Sequence, residues 1–267
     1  MASTFPSQWP NDPQVSARLV LACLDLTSLN DADSEADIAT LCQRAQSPFG
    51  PVAAVCVWPR LTAFARTQLP ATIAVAAVAN FPHGNADINA AVQDTLQIVA
   101  AGAQEVDLVL PYRCLMAGDE RAVVELLVAV RRACPGLLLK VILETGELKS
   151  PALIERACQL SLDSGADFLK TSTGKTPVSA TLEAARVMLG TIAASPAART
   201  RVGFKASGGI RNVAEAAAYL ALAQELLGAP ALTPQRFRIG ASSLLHDIEA
   251  VLSGTAEPNT APRRGAY

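Results

Sequence analysis

The sequence predicts an α/β fold, a single-domain (βα)8 TIM barrel. Eight short apolar runs alternate with eight longer segments of helical periodicity. The runs are nearly continuous in apolar residues, which is typical of parallel strands covered on both faces. The chain has 267 residues, of which 51% are hydrophobic, and this suits a barrel of about 250 residues. A doubly wound open sheet is the rival architecture, but no GxGxxG follows the first run, so its commonest cofactor-binding form is absent.

The expected strands are the apolar runs themselves, each followed by a segment that changes to helical spacing. In chain order, they are residues 19–26, 52–58, 72–80, 105–110, 137–144, 167–172, 202–207 and 237–242.

The expected helices are the intervening segments, which contain good helix formers. They cover residues 33–46, 61–69, 85–103, 118–134, 150–166, 179–195, 212–229 and 242–252. Serine or asparagine stands at several expected starts, where its side chain can cap free N–H groups; these residues are Asn85, Ser150, Ser179 and Asn212. We expect residues 16–253 to form the barrel, between an N-terminal extension at 1–15 and a flexible C-terminal tail at 254–267.

Composition excludes several classes of function. The net charge is −2 and no polybasic run occurs, which disfavours nucleic acid or an anionic membrane as a partner. The N-terminus has no signal-peptide pattern, and apolar stretches end near ten residues, too short to span a bilayer. We therefore expect a soluble, cytoplasmic protein.

Cysteine and histidine content argues against metal sites. The six cysteines form no CxxC pair and are interpreted as core thiols in a reducing compartment. Only His83 and His246 are present, which leaves too few ligands for a usual metal site and disfavours a Ser-His mechanism. No metal and no cofactor are expected.

Lysine is rare in this chain and its positions are unusual. Only five of the 22 basic residues are lysines: Lys140, Lys149, Lys170, Lys175 and Lys205. Codon bias explains the excess of arginine equally well, but it does not explain where the lysines fall. Arginine does not readily lose its proton to become a nucleophile, whereas lysine does.

Charged residues interrupt five of the expected strands. They are Asp25, Asp107, Lys140, Lys170 and Lys205. Any one of them alone is compatible with an outward-facing position or a structural ion pair. Together they indicate a site at the C-terminal ends of the strands, where barrels of this kind carry their catalytic residues.

The pair Lys170 and Lys205 predicts Schiff-base chemistry. If the two strands are adjacent and in register, the two backbones lie about 4.8 Å apart. A neighbouring ammonium and partial desolvation both lower a lysine pKa, so one lysine becomes the amine that attacks a carbonyl while the other stays protonated. Asp107 can then transfer protons as the carbinolamine loses water.

The segments after the last two strands predict a phosphate site. Small residues and helix N-termini there allow backbone N–H groups to approach an anion, although plain strand-to-helix turns would have similar residues. The candidates are Gly208, Gly209, Gly240, Ser242 and Ser243, together with Lys175 after the turn at Gly174. A Walker A loop is excluded, because the glycine that it needs five residues before Gly174 is Leu169.

With these residues in place, the sequence resembles the deoxyribose-phosphate aldolases, a class I aldolase family. The matching segments run in order from about residue 24 to residue 245, and "ADFLKTSTGK" at 166–175 and "VGFKASGGIR" at 202–211 are among them. The resemblance implies a metal-free (βα)8 barrel. It also implies reversible cleavage of 2-deoxyribose 5-phosphate into acetaldehyde and glyceraldehyde 3-phosphate.

The resemblance also assigns roles to residues. It makes Lys170 the Schiff-base lysine, Lys205 its pKa-perturbing partner and Asp107 the proton-transfer residue, with Lys140 and Asp25 in support. It places Lys175, Gly208, Gly209, Ser242 and Ser243 around the phosphate, and it links the terminal Tyr267 to proton transfer. Trp58 stands where tyrosine is common in the family, which affects packing or a subunit contact rather than chemistry.

Two other functions remain open at this point. Another Schiff-base phosphosugar aldolase would share the lysine and the phosphate loops, and a non-catalytic phosphosugar sensor would bind without chemistry. A metal-dependent aldolase is disfavoured by the scarcity of histidine. We also expect a homo-oligomer, with a dimer as the preferred form.

Overall fold

The structure, a computed structural model, describes residues 12–255. Eight parallel strands form a closed barrel in which each strand pairs with the next along the chain and the last pairs with the first. They are β1 (Leu24–Thr27), β2 (Ala54–Val57), β3 (Ala74–Ala79), β4 (Glu105–Val109), β5 (Leu138–Ile142), β6 (Phe168–Lys170), β7 (Gly203–Ser207) and β8 (Phe237–Ala241). The closed barrel confirms the predicted fold class and rules out the open sheet.

Eleven α-helices occur in the described part of the chain. They are α1 (Pro13–Ala22), α2 (Glu35–Arg44), α3 (Thr62–Gln68), α4 (Ile88–Ala100), α5 (Tyr112–Met116), α6 (Glu120–Ala133), α7 (Thr145–Leu148), α8 (Pro151–Asp163), α9 (Leu182–Ala194), α10 (Val213–Leu227) and α11 (Leu244–Ser253). Eight of them correspond to the expected helices, and the three additional ones are α1, α5 and α7. The loop after α2 also contains a small antiparallel hairpin.

The N-terminal part of the first expected strand is helical instead. Residues 19–22 belong to α1, and the strand occupies only Leu24–Thr27, so the strand prediction was wrong there. Asp12 caps the helix by accepting hydrogen bonds from the first free N–H groups, and proline occupies its first position. The helix packs against α10 and α11 and starts at Pro13, before the expected domain boundary at residue 16.

One of the four predicted helix caps is confirmed, because the Asn212 side chain accepts a hydrogen bond from the Glu215 N–H at the start of α10. Ser150 precedes α8, but its side chain makes no capping hydrogen bond. The other two predictions were wrong, because Asp87 caps α4 and Thr181 caps α9. In both cases the helix starts two residues later than expected, at a side chain that accepts a backbone hydrogen bond.

Strand register brings the interior charges together. Asp107 in β4 is level with Lys140 in β5. Lys170 in β6 is level with Lys205 in β7, which is in turn level with Arg238 in β8. Because side chains alternate along a strand, these charges share the inner face, while the continuous apolar core lies largely between the strands and the outer helices.

Candidate active site

The five charges predicted from the strands form one buried cluster inside the barrel. Asp107 lies at its centre. One of its carboxylate oxygens is 2.7 Å from Nζ of Lys140, and the other is 2.8 Å from Nζ of both Lys170 and Lys205. A single carboxylate therefore connects all three lysines and can pass a proton between neighbouring groups.

Asp25 forms the second node of the cluster. It is the second residue of β1. Its Oδ2 lies 2.5 Å from Nζ of Lys205 and 3.7 Å from Nζ of Lys140. Asp25 thus holds both lysines that flank Lys170 in the network, but it lies outside ion-pair distance of Lys170 itself.

The sequence prediction missed two further members, Arg238 and Glu105. The guanidinium of Arg238 lies 2.6 Å from Asp25 Oδ1 and 2.7 Å from Glu105 Oε1, and Glu105 Oε2 lies 2.5 Å from Nζ of Lys140. Arg238 is a charge inside an apolar strand, so the criterion that selected Asp25 and Lys140 would also have found it. Glu105 is the first residue of its strand and does not interrupt an apolar run.

The three lysines differ in their protonation. Burial lowers the pKa of Lys170 and the nearby ammonium of Lys205 lowers it further, against the opposing effect of Asp107. Burial also acts on Lys205, but Asp107 and Asp25 outweigh it and raise the pKa of that lysine. The pKa of Lys140 is raised in the same way by Asp107 and Glu105. Lys170 is therefore the lysine that becomes a free amine most readily.

Lys170 is also the lysine of the cluster that solvent reaches. Its side chain is 3% exposed, whereas those of Lys140 and Lys205 are 0% exposed. A small carbonyl compound that enters the barrel mouth meets Lys170 before the other two. Accessibility and protonation thus favour the same lysine, Lys170, as the candidate nucleophile.

A cavity of about 350 Å³ lies beside this cluster. Its walls come from the segments that follow β1, β6, β7 and β8, at residues 27–30, 173–175, 207–211 and 240–243. The cavity contains every residue predicted to surround a phosphate: Gly174, Lys175, Gly208, Gly209, Gly240, Ser242 and Ser243. The structure brings these seven residues together at the C-terminal end of the barrel.

Gly240 joins the cavity to the lysines. A Cβ atom at this position would lie 2.5 Å from Ser207 Oγ and 3.0 Å from Cε of Lys205, so only glycine leaves both side chains in place. Gly208 and Gly209 have φ values of +87° and +82°, which L-residues with side chains rarely adopt. These glycines leave backbone groups accessible to the cavity between the lysine cluster and the N-termini of α10 and α11.

The loop that carries Lys175 is held by a buried carboxylate. Glu144 accepts hydrogen bonds from the Thr173 hydroxyl at 2.6 Å and from the Thr176 hydroxyl at 3.2 Å. Burial raises the pKa of Glu144 despite these bonds. The Lys175 ammonium donates to the Leu29 carbonyl at 2.8 Å across the cavity, so a cation already lies at its rim.

Trp58, which stands where tyrosine is common in the family, packs beside the cavity next to Asn30. Its indole N–H donates to the Asn30 carbonyl at 3.1 Å, and its ring contacts Phe81 edge-on, with centroids 5.4 Å apart. Trp58 therefore contributes to packing around the mouth and takes no part in the charge cluster.

The remaining sequence predictions concern Tyr267, metal ligands, membrane-spanning segments and the cysteines. Tyr267 lies outside the described residues. Within residues 12–255, no group of three His, Cys, Asp or Glu side chains is placed to hold a metal ion. In the same range, none of the helices is both long enough and apolar enough to cross a membrane. The six cysteines are all free thiols.

Comparison with known proteins identifies the family. The sequence model of the DeoC/LacD aldolase family matches residues 19–249. The chain belongs to this family. It is 50% identical over 245 residues to the deoxyribose-phosphate aldolase of Agrobacterium fabrum strain C58, a match that covers 91% of this chain and 93% of the relative. The protein is thus an aldolase, and the matched region includes the whole cluster and the cavity.

Solved structures agree with this assignment. A candidate deoxyribose-phosphate aldolase from Toxoplasma gondii ME49 superposes with a TM-score of 0.84 at 25% identity, covering 91% of this chain and 96% of that one. The tetrameric deoxyribose phosphate aldolase from Aeropyrum pernix shares the fold, with a TM-score of 0.69 at 22% identity and coverage of 92% and 98%.

Proposed function

We propose that this protein is a metal-independent deoxyribose-phosphate aldolase that cleaves 2-deoxy-D-ribose 5-phosphate reversibly to acetaldehyde and D-glyceraldehyde 3-phosphate. The observation that carries the proposal is the cluster itself: a lysine with a lowered pKa lies 2.8 Å from a carboxylate and beside two protonated lysines. In the cell, this reaction belongs to the breakdown of deoxyribose phosphate.

The first half of the reaction forms a Schiff base. The Lys170 amine attacks C1 of the open-chain sugar, and a proton reaches the former carbonyl oxygen. The carbinolamine then loses water to give a protonated imine. Asp107 contacts the ammonium groups of all three lysines of the cluster, so it can carry the protons that these steps require.

The second half breaks the C2–C3 bond. The C3 hydroxyl gives up its proton, the bond electrons move into the imine to form an enamine, and glyceraldehyde 3-phosphate leaves. Protonation of the enamine at C2 and attack by water then release acetaldehyde and regenerate the Lys170 amine. Tyr267 is a proposed proton donor for C2, based on the family resemblance.

The cavity suits the phosphate end of this substrate. It combines the Lys175 ammonium with small residues before the N-termini of α10 and α11, and backbone N–H groups at helix N-termini favour anions. In the proposed binding mode, the phosphate lies above β7 and β8 while C1 reaches Lys170.

Incubation with deoxyribose 5-phosphate, followed by product analysis, tests the proposal. We expect equimolar acetaldehyde and glyceraldehyde 3-phosphate, with full activity retained in EDTA. A different pair of aldehyde products would identify another Schiff-base phosphosugar aldolase. Binding of the sugar phosphate without turnover would instead indicate a sensor.

We further propose a cytoplasmic homo-oligomer, most simply a dimer. The six free thiols suit a reducing compartment. Oligomerisation is supported by analogy alone, because the structural relative from Aeropyrum pernix is a tetramer. The molecular mass in solution would decide the oligomeric state.

Replacing Lys175 by alanine should weaken phosphate binding selectively. We expect KM for deoxyribose 5-phosphate to rise about tenfold or more, because a charge-assisted contact to the phosphate is lost, while KM for plain deoxyribose changes little. Steady-state kinetics with both sugars measures the ratio. The control is Lys149→Ala, which removes an exposed ammonium outside the cavity. Equal effects of Lys175→Ala on the two sugars would mean that the phosphate binds elsewhere.

A further inference from the structure

The carboxylates of the cluster are shared unequally among its lysines. Lys140 lies within 4 Å of three of them: Asp25, Glu105 and Asp107. Lys205 lies within that distance of Asp25 and Asp107. Lys170 has Asp107 alone, on an oxygen that Lys205 also contacts. Lys170 is therefore the lysine whose ammonium form is compensated least.

The balance of charge leads to the same lysine. Apart from Lys170, the cluster contains three cations and three carboxylates: Lys140, Lys205, Arg238, Asp25, Glu105 and Asp107. The cluster is neutral when Lys170 is an amine and carries one positive charge when Lys170 is protonated. Since an unbalanced buried charge is costly, the surplus proton is the one on Lys170.

Arg238 and Glu105 complete this charge balance without contacting Lys170 themselves. Arg238 supplies the third cation and binds Asp25 through Oδ1, which leaves Asp25 Oδ2 for Lys205. Glu105 binds both Arg238 and Lys140. Neither residue lies within ion-pair distance of Lys170, and neither lines the cavity.

We propose that Arg238 and Glu105 are positioning residues that determine which lysine of the cluster gives up its proton. They act through the net charge of the cluster and through the partners that they hold in place. The inference deepens the proposed function and rests on Lys170 being the Schiff-base lysine.

The other groups that influence Lys170 come from several elements of the barrel. The direct ones are Asp107 of β4, Lys205 of β7, Cys56 of β2 and Glu144 after β5. Asp25 of β1 and Lys140 of β5 contact Lys205 and Asp107 in turn. Burial raises the pKa of the Cys56 thiol, and Glu144 is held by Thr173 and Thr176. All six stay unchanged in the variants below, so a shift reports the charge that was altered.

Neutralising the two residues one at a time should move the titration of Lys170 in opposite directions. Arg238→Gln removes a cation, so the protonated form of Lys170 balances the cluster and its apparent pKa rises. Glu105→Gln removes an anion, so that apparent pKa falls. The measurement is the rate at which acetaldehyde and cyanoborohydride mark Lys170 between pH 6 and pH 9, with mass spectrometry to locate the adduct. For Arg238→Gln, we expect about tenfold slower marking at pH 7, with recovery at higher pH.

Two further variants separate charge from structure. The double variant Arg238→Gln/Glu105→Gln restores the balance and should return the midpoint of the profile to the wild-type value. Arg238→Lys keeps the charge and should do the same, even if marking is slower at every pH. Where Arg238→Gln fails to fold by near-UV circular dichroism, Glu105→Gln and the double variant decide the question.

Results of a different kind would overturn the inference. Midpoints that shift in the same direction in both single variants, or marking that slows by one factor at every pH, would assign the two residues a purely structural role. An adduct on Lys140 or Lys205 in the wild type would overturn it as well. Wild-type protein that is marked on Lys170 but does not cleave deoxyribose 5-phosphate would contradict the proposed substrate only.

Discussion

Replacing Lys170 by arginine is expected to lower kcat/KM by several orders of magnitude while the protein stays folded. Arginine preserves a cation beside Asp107, but its guanidinium does not lose a proton to attack a carbonyl. Steady-state cleavage of deoxyribose 5-phosphate measures the loss, and circular dichroism checks the fold. Borohydride added with acetaldehyde should mark Lys170 in the wild type and no lysine of the cluster in the variant.

The matched control is Lys149→Arg, the same substitution at an exposed position outside the cluster. Its activity should equal that of the wild type. If Lys170→Arg retained substantial activity, or if borohydride marked Lys140 or Lys205, the assignment of the nucleophile would be wrong.

Replacing Lys205 by leucine is expected to produce the second-largest loss at neutral pH. The substitution removes an ammonium that lies 2.8 Å from the same Asp107 oxygen as Lys170. Asp107 then interacts more with Lys170, and the pKa of Lys170 rises. Since the protonated form is not nucleophilic, kcat/KM at pH 7 should fall about a hundredfold, which corresponds to roughly two pKa units.

This prediction is tested by measuring kcat/KM against pH for the wild type, Lys205→Leu and Lys205→Arg. In the proposed mechanism, activity requires the Lys170 amine, so we expect it to be lost as the pH falls through the pKa of that group. The leucine variant should therefore recover part of its activity at higher pH, although burial continues to lower the pKa. Lys205→Arg retains a cation and should lose less at pH 7. A loss by the same factor at every pH would show that Lys205 contacts the substrate or transfers protons directly.

The sequence predicted the barrel because its signal is local. Near-continuous apolar runs of strand length can be recognised without tertiary information, and seven of the eight strands occur at the expected places. The exception is residues 19–22, where apolar residues on the buried face of α1 continue almost directly into β1. An apolar run does not by itself distinguish a short buried helix from a strand.

The sequence predicted which residues form the charge cluster better than it predicted which of them contact one another. A charge inside an apolar strand is visible in the sequence, and five such residues meet in the barrel. The partnership of Arg238 with Glu105 depends on barrel closure, because it joins β8 to β4 across the interior. The selection of Lys170 over Lys140 likewise depends on distances of a few ångströms, which no sequence pattern contains. The roles of the phosphate-loop residues and of Tyr267 stay predictions.

The buried charge cluster also limits how this protein can be made more heat-resistant. Buried ion networks are often less stabilising than well-packed apolar residues of similar volume, so the barrel interior carries a thermodynamic cost that activity requires. Engineering therefore has to act on the outer helices. Gly190 in α9 is one such position, since a Cβ atom there would meet nothing beyond its own helix backbone within 4 Å, and alanine would reduce the conformational freedom of the unfolded chain.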